Sequence, residues 1–399
     1  MSELTDALVL YHLGPEFRLT GTALVRMLVE RAAQHGWQGN LWHCCLAQAL
    51  VEDENPFSLA CERRPAPHDS LWQLALGDME VFRALFHRQE DAVQWRIITD
   101  FHREGAQANA VPQLASTLAA AQTAEEMLLC LTDFYRTHGL GMLGLGQVFR
   151  VSEQGDLYPV TGRRPVQLSD IVGYEAQKKA LVENTAAFLR GSHANNVMLY
   201  GDAGTGKSTS VQAVANAYAH QGLRLIELYK HQFACIPELF ARIKRRNYRF
   251  ILLLDDLSFE ENEVEYKYLK AVLEGGAEAA PENIRIYATS NRRHLIKETW
   301  NDRSDMEHNG DIHRSDTMEE KLSLSARFGL QIFYPNPTFE EYHAIVQAIA
   351  QREHTTIPAD QLRAAASTWQ VRHGSRSGRT ARQFVDSLDC LSEEGKEST

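Results

Sequence analysis

Lysine is absent from residues 1–158, which carry 20 Asp and Glu against 11 Arg, a net charge of −9. The whole chain stands at −11, so the remainder is close to neutral at −2. That balance excludes a generally basic, nucleic-acid-coating surface and assigns the acidic front half to a protein partner or to solubility. No apolar run reaches the roughly 18 residues that a membrane-spanning helix needs, so no membrane association is expected. No basic residue precedes Arg18, so a secretory n-region is missing and the chain reads as cytoplasmic. The six cysteines, at 44, 45, 61, 130, 235 and 390, include no C-x-x-C pair, and the histidines near them lack zinc-finger spacing. They are expected to be buried free thiols. No repeat of fixed period is present, which excludes a solenoid.

What is present changes character along the chain. Residues 1–138 read as an irregular all-α domain: "LWQLALGDMEVFRALFHR" places Leu71, Ala75, Met79, Phe82 and Phe86 on one helical face. Residues 139–164 read as a glycine-rich linker and a short hairpin turning near Gly155 and Asp156. Gly139, Gly141 and Gly144 spell G-x-G-x-x-G, but no strand precedes them and no helix follows, which excludes a dinucleotide loop. From 165 to 336 strands and helices alternate. The strands are expected at 197–200, 223–229, 250–256, 284–290 and 330–334, and their continuous apolar character suits a parallel sheet covered on both faces. Beyond Pro335 and Pro337 the chain is helical again, so residues 337–399 form a small all-α module.

The chemistry gathers in that middle region. "VMLYGDAGTGKSTSVQAVANAYA" reads as strand, loop and helix, and its loop, Gly201, Asp202, Ala203, Gly204, Thr205, Gly206, Lys207 and Ser208, matches G-x-x-x-x-G-K-[ST]. Its glycines let the backbone wrap a phosphate and turn N–H groups inward at a helix N-terminus, where the dipole also favours an anion. Lys207 would reach the β- and γ-phosphates of ATP, and the Ser208 hydroxyl would ligate Mg²⁺. "FILLLDDLSFEEN" brings Asp255 and Asp256 to the end of a buried strand. Asp255 stands where a carboxylate holds the magnesium. Asp256 stands where a general base polarises water, although aspartate is one methylene shorter than glutamate. If Asp256 instead caps the next helix or pairs with an arginine, Glu260 or Glu261 would serve as base. Asn291, just past the next strand in "YATSNRRHL", can hydrogen-bond the water or the γ-phosphate. Arg327 in "KLSLSARFGL" is either a helix C-cap or a finger reaching a neighbouring subunit's nucleotide. Arg379 and Arg382 fall in the first turns of a helix whose apolar face is Phe384, Val385, Leu388 and Leu391. Cations there oppose the helix dipole, and a bound phosphate would supply the missing anion.

Taken together, residues 165–391 resemble the AAA+ P-loop ATPases. More narrowly, "ANNVMLYGDAGTGKS", "DDLSFE", "YATSNRRHL" and "SLSARFGL" are similar to an uncharacterised bacterial AAA+ group known only as a domain of unknown function. The resemblance implies a five-stranded parallel core with a C-terminal helical lid, ATP and Mg²⁺ bound between the two, and assembly into a ring or spiral. It makes Gly201 to Ser208, continued by Thr209, the phosphate loop, and Asp255 and Asp256 the acidic pair. Asn291 becomes the first sensor, Arg327 the trans-acting finger and Arg379 the lid arginine. It also places Asp170, Ile171 and Val172 to flank adenine. The expected activity is ATP hydrolysis that remodels a protein or nucleic-acid partner, with a slowly hydrolysing assembly switch as the alternative. Threading motors of this class carry an aromatic–hydrophobic–Gly tripeptide after the second strand. "LYKHQFACIPELF" has none, which argues against peptide threading. "IKRRNYR" (243–249) is a basic cluster that either contacts nucleic-acid phosphates or is a solvated helix end. The charged stretch 301–321 is expected to be a loop at a subunit interface. His308 and His313 within it could suggest a metal site, but no third ligand is confirmed by the sequence, so none is expected.

Overall fold

The computed structural model describes residues 9–12, 14, 17, 19–63, 69–88, 93–102, 110–160, 165–259, 265–274, 280–291, 324–355 and 357–394. Glu260, Glu261 and the stretch 301–321 with His308 and His313 lie outside the described residues. The chain divides into two compact units, Met1–Gly146 and Gln147–Thr399.

The first unit is helical: α1 (Gly21–His35), α2 (Leu41–Glu52), α3 (Pro56–Arg63), α4 (Ser70–Phe86), α5 (Val93–Thr99), α6 (Ala110–Ala120), α7 (Ala124–Thr137) and α8 (Gly141–Leu145). Local chemistry sets several of their ends. The side chains of Asn40, Asp69 and Thr123 each accept a hydrogen bond from a first-turn N–H of the helix that follows. Gly36 closes α1 in the left-handed region, its N–H donating to the Ala32 carbonyl. On α4 the expected face holds: Ala75, Met79, Phe82 and Phe86 are buried, with Leu71 packed against them. Buried Asp78 on the same helix accepts the N–H groups of Val9, Leu10 and Tyr11 at 2.7, 2.7 and 3.2 Å, tying down the front of the chain. The glycine-rich stretch after 138 departs from its reading as a linker. Leu140 and Leu143 are buried, and that burial draws Gly141–Leu145 into α8 within the first unit.

The second unit contains β1 (Val148–Val151), β2 (Leu157–Pro159), α9 (Glu175–Leu189), β3 (Val197–Gly201), α10 (Lys207–Ala217), β4 (Leu223–Leu228), α11 (Ile236–Ile243), β5 (Arg249–Leu254), α12 (Glu265–Glu274), β6 (Ile284–Ser290) and β7 (Leu330–Tyr334). The strands form one sheet in the order β2-β1-β4-β5-β6-β3-β7. The five expected strands pair in parallel as β4-β5-β6-β3-β7. The sheet nevertheless has seven strands rather than five. The hairpin expected in the linker joins it, β1 pairing parallel to β4 through Phe149↔Ile226 and β2 running antiparallel to β1. Apolar side chains on both faces explain the burial of nearly every residue of β3, β4 and β5. Because β3 lies between β6 and β7, the loop leaving its C-terminal end opens where the strand order reverses, the usual place for a ligand in an open α/β sheet.

Three helices complete the unit as a lid: α13 (Phe339–Arg352), α14 (Ala359–His373) and α15 (Gly378–Glu394). Thr338 and Glu341 form a capping box at the start of α13. Tyr342, Val346, Leu362, Ala366, Phe384 and Val385 form the lid's own core, and Val172 and Leu388 pack against it. No helix among the described residues is long and apolar enough to cross a membrane.

Candidate nucleotide-binding site

The loop after β3 is shaped by its glycines. Gly201, at φ +138°, lies so close to the carbonyl of Tyr334 on β7 that a Cβ would overlap it. Gly204 and Gly206 are in the left-handed region, at φ +76° and +89°, where a side chain is strained. Thr205 is buried and closes the turn by donating from Oγ1 to the Asp202 carbonyl at 2.9 Å. Asp202 and Ala203 remain exposed, and Ser208 and Thr209 lie half-buried in the first turn of α10. The loop therefore delivers the N-terminus of an eleven-residue helix, with its unpaired N–H groups and positive dipole end, to the C-terminal edge of the sheet.

Lys207 opens that helix and is only 6% exposed. Its Nζ donates to the carbonyls of Gly201 (2.9 Å) and Asp202 (2.6 Å) and to Oδ1 of Asn291 (3.0 Å). Burial pulls this amine below the ordinary lysine range. Asp202, Asp256 and Asp255 act in the opposite direction, and the positive charge of Arg379 adds to the depression. A desolvated cation beside a second cation is the electrostatic setting in which a phosphate is bound most favourably.

The two aspartates follow β5, which ends at Leu254 rather than running to 256 as expected. The polypeptide turns there: Asp256 adopts φ +51°, a conformation aspartate tolerates better than most residues. Parallel pairing of Leu254 with Ala288 sets Asp255 beside Thr289 of β6. Oδ1 of Asp255 accepts hydrogen bonds from Ser208 Oγ and, at 2.6 Å, from Thr289 Oγ1. Oδ1 of Asp256 accepts from Asn291 Nδ2 at 2.7 Å. Among the described residues Asp256 neither caps a helix nor pairs with an arginine. It is joined through Asn291 to Lys207 in a continuous polar chain. The oxygen pair of Ser208 and Asp255 is the hard donor set magnesium prefers. The hydroxyl proton of Ser208 is already engaged by Asp255, so its lone pairs are the part left for a cation.

The lid meets the loop at α15. The N–H of Arg379 donates to the Gly204 carbonyl at 3.3 Å, and a Cβ on Gly204 would come within 2.8 Å of Ser377 Oγ and 3.1 Å of Arg379 Cβ. Arg379 has no carboxylate at ion-pair distance among the described residues. Arg382 is different: Glu353 and Asp386 hold it at 2.6 and 2.8 Å, so its charge is already answered. On the opposite flank Ile171 is buried next to Gly206, and Val172 touches the lid core. The carboxylate of Asp170 is occupied elsewhere. It accepts the Gln167 N–H and forms an ion pair with Arg352 of α13 at 3.1 Å. Arg327 takes no part in the network around Lys207. It follows a short helical stretch at 324–326 and pairs with Glu274 at the end of α12, 3.2 Å away. In the basic cluster, Arg249 donates to the Glu282 carbonyl and lies over the Phe188 ring, while Lys244 and Arg245 are exposed. The stretch without a pore tripeptide forms a 3₁₀ turn, Lys230–Cys235, with Phe233 buried. Cys44, Cys45 and Cys61 are buried outside any disulfide, as expected, whereas Cys130 and Cys235 are only half-buried, short of the burial expected of them.

Sequence reasoning missed Thr289, Arg352 and Glu274. Only Thr289 left a signal: it stands at the end of the strand that Asn291 follows, two residues before it.

A mostly parallel sheet with this strand order, a glycine loop feeding a helix at its switch point, an acidic pair just past β5, with β6 between it and the loop's own strand β3, and a helical lid define an AAA+ P-loop nucleotide-binding protein. Residues 146–391 match the family described as "Protein of unknown function (DUF815)", and the chain belongs to that family. It is similar to the replication factor C large subunit of Staphylothermus marinus, 32% identical over 108 residues, covering 24% of this chain and 23% of that protein. The chain spans less than a quarter of the length of the curated relatives it matches. Among solved structures it is similar to a point mutant of Thermotoga maritima RuvB, at TM-score 0.41 and 18% identity, covering 59% of this chain and 68% of that one. It is also similar to a DNA replication initiation factor, at TM-score 0.40 and 17% identity, covering 60% and 68% of the two chains.

Proposed function

We propose that the protein binds ATP with magnesium between the loop and the lid and hydrolyses it to remodel a protein or nucleic-acid partner. The observation that carries this reading is the chain from Lys207 through Asn291 to Asp256, which links the phosphate-binding cation to a carboxylate placed to act on water. The N–H groups at the start of α10, Lys207 and Arg379 would hold the phosphates, and Ile171 and Val172 would flank the adenine. Ser208 and Asp255 would hold the magnesium. Bound there, the ion supplies neutralisation of charge across the β- and γ-phosphates. Lys207 exchanges its bonds to the Gly201 and Asp202 carbonyls for phosphate oxygens and keeps its bond to Asn291, so the chain to Asp256 stays connected. Asp256 orients the attacking water and accepts its proton as the oxygen bonds to the γ-phosphorus, and ADP leaves with its bridging oxygen.

Arg327, paired with an exposed glutamate in its own subunit, is proposed to act across an interface between copies of the chain in a ring or spiral. The acidic first unit is proposed to bind the protein partner. The cytoplasm is the compartment proposed for it. A second reading, a slowly hydrolysing assembly switch, draws on one observation: Oδ1 of the exposed Asp256 carboxylate is engaged by Asn291.

Steady-state ATP hydrolysis per subunit, measured over a range of protein concentrations for wild type and Asp256→Asn, separates the two. A rate that climbs steeply with concentration and is lost in the variant supports the trans-activated ATPase. Tight ATP binding with negligible turnover at every concentration supports the switch. Failure of wild type to bind ATP at all refutes both.

A further inference from the structure

Thr289 is 2% exposed, at the end of β6, and its hydroxyl is used twice. It donates to Oδ1 of Asp255 at 2.6 Å and accepts the N–H of Asp256 at 3.0 Å. The backbone reinforces this junction, since the Leu257 N–H donates to the Thr289 carbonyl at 2.7 Å. One side chain therefore grips both members of the acidic pair, one through its carboxylate and the other through its amide. The two grips have different consequences. The first fixes the rotation of the Asp255 carboxylate and commits one lone pair of Oδ1, leaving the remaining acceptor directions fixed relative to Ser208. The second holds the N–H of the residue that bends backward at φ +51°, the bend that turns the Asp256 side chain towards Asn291.

We infer that Thr289 is a positioning residue that sets the magnesium carboxylate and the water-orienting carboxylate in register with each other. The inference rests on the reading of the site as a magnesium–ATP hydrolase. It explains how a chain with aspartate at 256 achieves a defined base geometry: the shorter side chain is compensated by fixing the backbone that carries it. A hydroxyl is required because only a group that donates and accepts at once can serve a carboxylate and an amide together. Valine has the same shape and provides neither bond. Serine provides both.

The test compares wild type, Thr289→Val and Thr289→Ser by two measurements. A fluorescent ADP analogue is titrated in magnesium and in EDTA, and ATP turnover is followed as magnesium is varied. For Thr289→Val, affinity in EDTA is expected to stay within about twofold of wild type, because Lys207 and the loop are untouched. The gain in affinity that magnesium confers should shrink, and kcat should fall, each by about 10–100-fold, the range for losing a group that orients a metal ligand. KM for ATP at saturating magnesium should change far less than kcat. Thr289→Ser should restore both properties. Thr289→Cys, with a weak donor on a similar frame, keeps the comparison available if the valine variant does not fold, and should fall between the two. Wild-type magnesium dependence and turnover in Thr289→Val, or equal loss in Val and Ser variants, overturns the inference. A wild-type protein that binds ADP identically in magnesium and in EDTA instead overturns the underlying reading of the site, and this inference with it.

Discussion

Gly204→Ala separates the contribution of the loop from that of the lid. The residue sits at φ +76°, where an L side chain costs roughly 1–2 kcal/mol. That strain is present with and without nucleotide, so it lowers the melting temperature of the free protein without altering affinity. The new Cβ also meets Ser377 Oγ at 2.8 Å and the Cβ atoms of Ser377 and Arg379 at 3.1 Å. Overpacking of this kind costs about 1–3 kcal/mol, and the protein escapes it by moving α15 off the loop, which carries Arg379 away from the phosphates. The overlap is therefore expressed as weaker binding, about 5–150-fold at about 1.4 kcal/mol per factor of ten. Titration of a fluorescent ADP analogue, with a thermal melt of the free protein, reads both effects. Ser377→Gly removes Ser377 Oγ and Cβ, leaving only the Arg379 Cβ contact, and, as glycine is tolerated at an N-cap, costs little itself. In combination it should recover much of the affinity but none of the strain, a non-additive pattern that a double-mutant cycle detects. Affinity within twofold of wild type in Gly204→Ala would refute the argument that the lid closes on this loop through α15.

Two further outcomes are expected. Arg327→Ala should leave ATP binding intact and remove hydrolysis, and an active-site-dead Lys207→Ala subunit added in trans should restore turnover by supplying the finger; normal hydrolysis by Arg327→Ala alone would remove the trans assignment. The Glu341 carboxyl accepts the Thr338 N–H at 2.8 Å, which holds its pKa below the ordinary range. With the folded value lower than the unfolded one, near about 4.3, its contribution to lid stability is present above that value and lost as pH falls through the folded one. Melting curves for Glu341→Gln should lie below wild type at neutral pH and converge with it in acid; parallel curves would exclude the capping box as the cause.

How far the sequence revealed the site depended on whether each feature is local. The loop Gly201 to Ser208 is legible because the phosphate cradle is built from one continuous run whose glycines have no substitute. The strands were legible because two covered faces impose continuous apolar character. Asn291 was found because it follows a strand end. The roles of Thr289, Glu274 and Arg352 depend on partners set by strand register or helix packing, such as Leu254 against Ala288, and spacing along the chain does not encode these. Arg382 was drawn into the site by its position in a helix's first turn, when two carboxylates, Glu353 just past α13 and Asp386 on α15, already held it. The glycines from 139 to 144 suggested slack chain because composition weighs glycine without seeing that Leu140 and Leu143 anchor the segment.

The hairpin that widens the sheet also determines where the chain can be cut. β1 covers the edge of β4 along Phe149↔Ile226, and β2 with its Pro159 forms the outermost rim. A truncated protein starting at 165, where the alternating pattern begins, would strip that cover and leave β4 with unpaired amides and carbonyls, a template for strand-to-strand aggregation. One starting at 147 would keep the rim. The nucleotide-binding half can thus be studied alone only if it retains the short segment that, by composition, looked most dispensable.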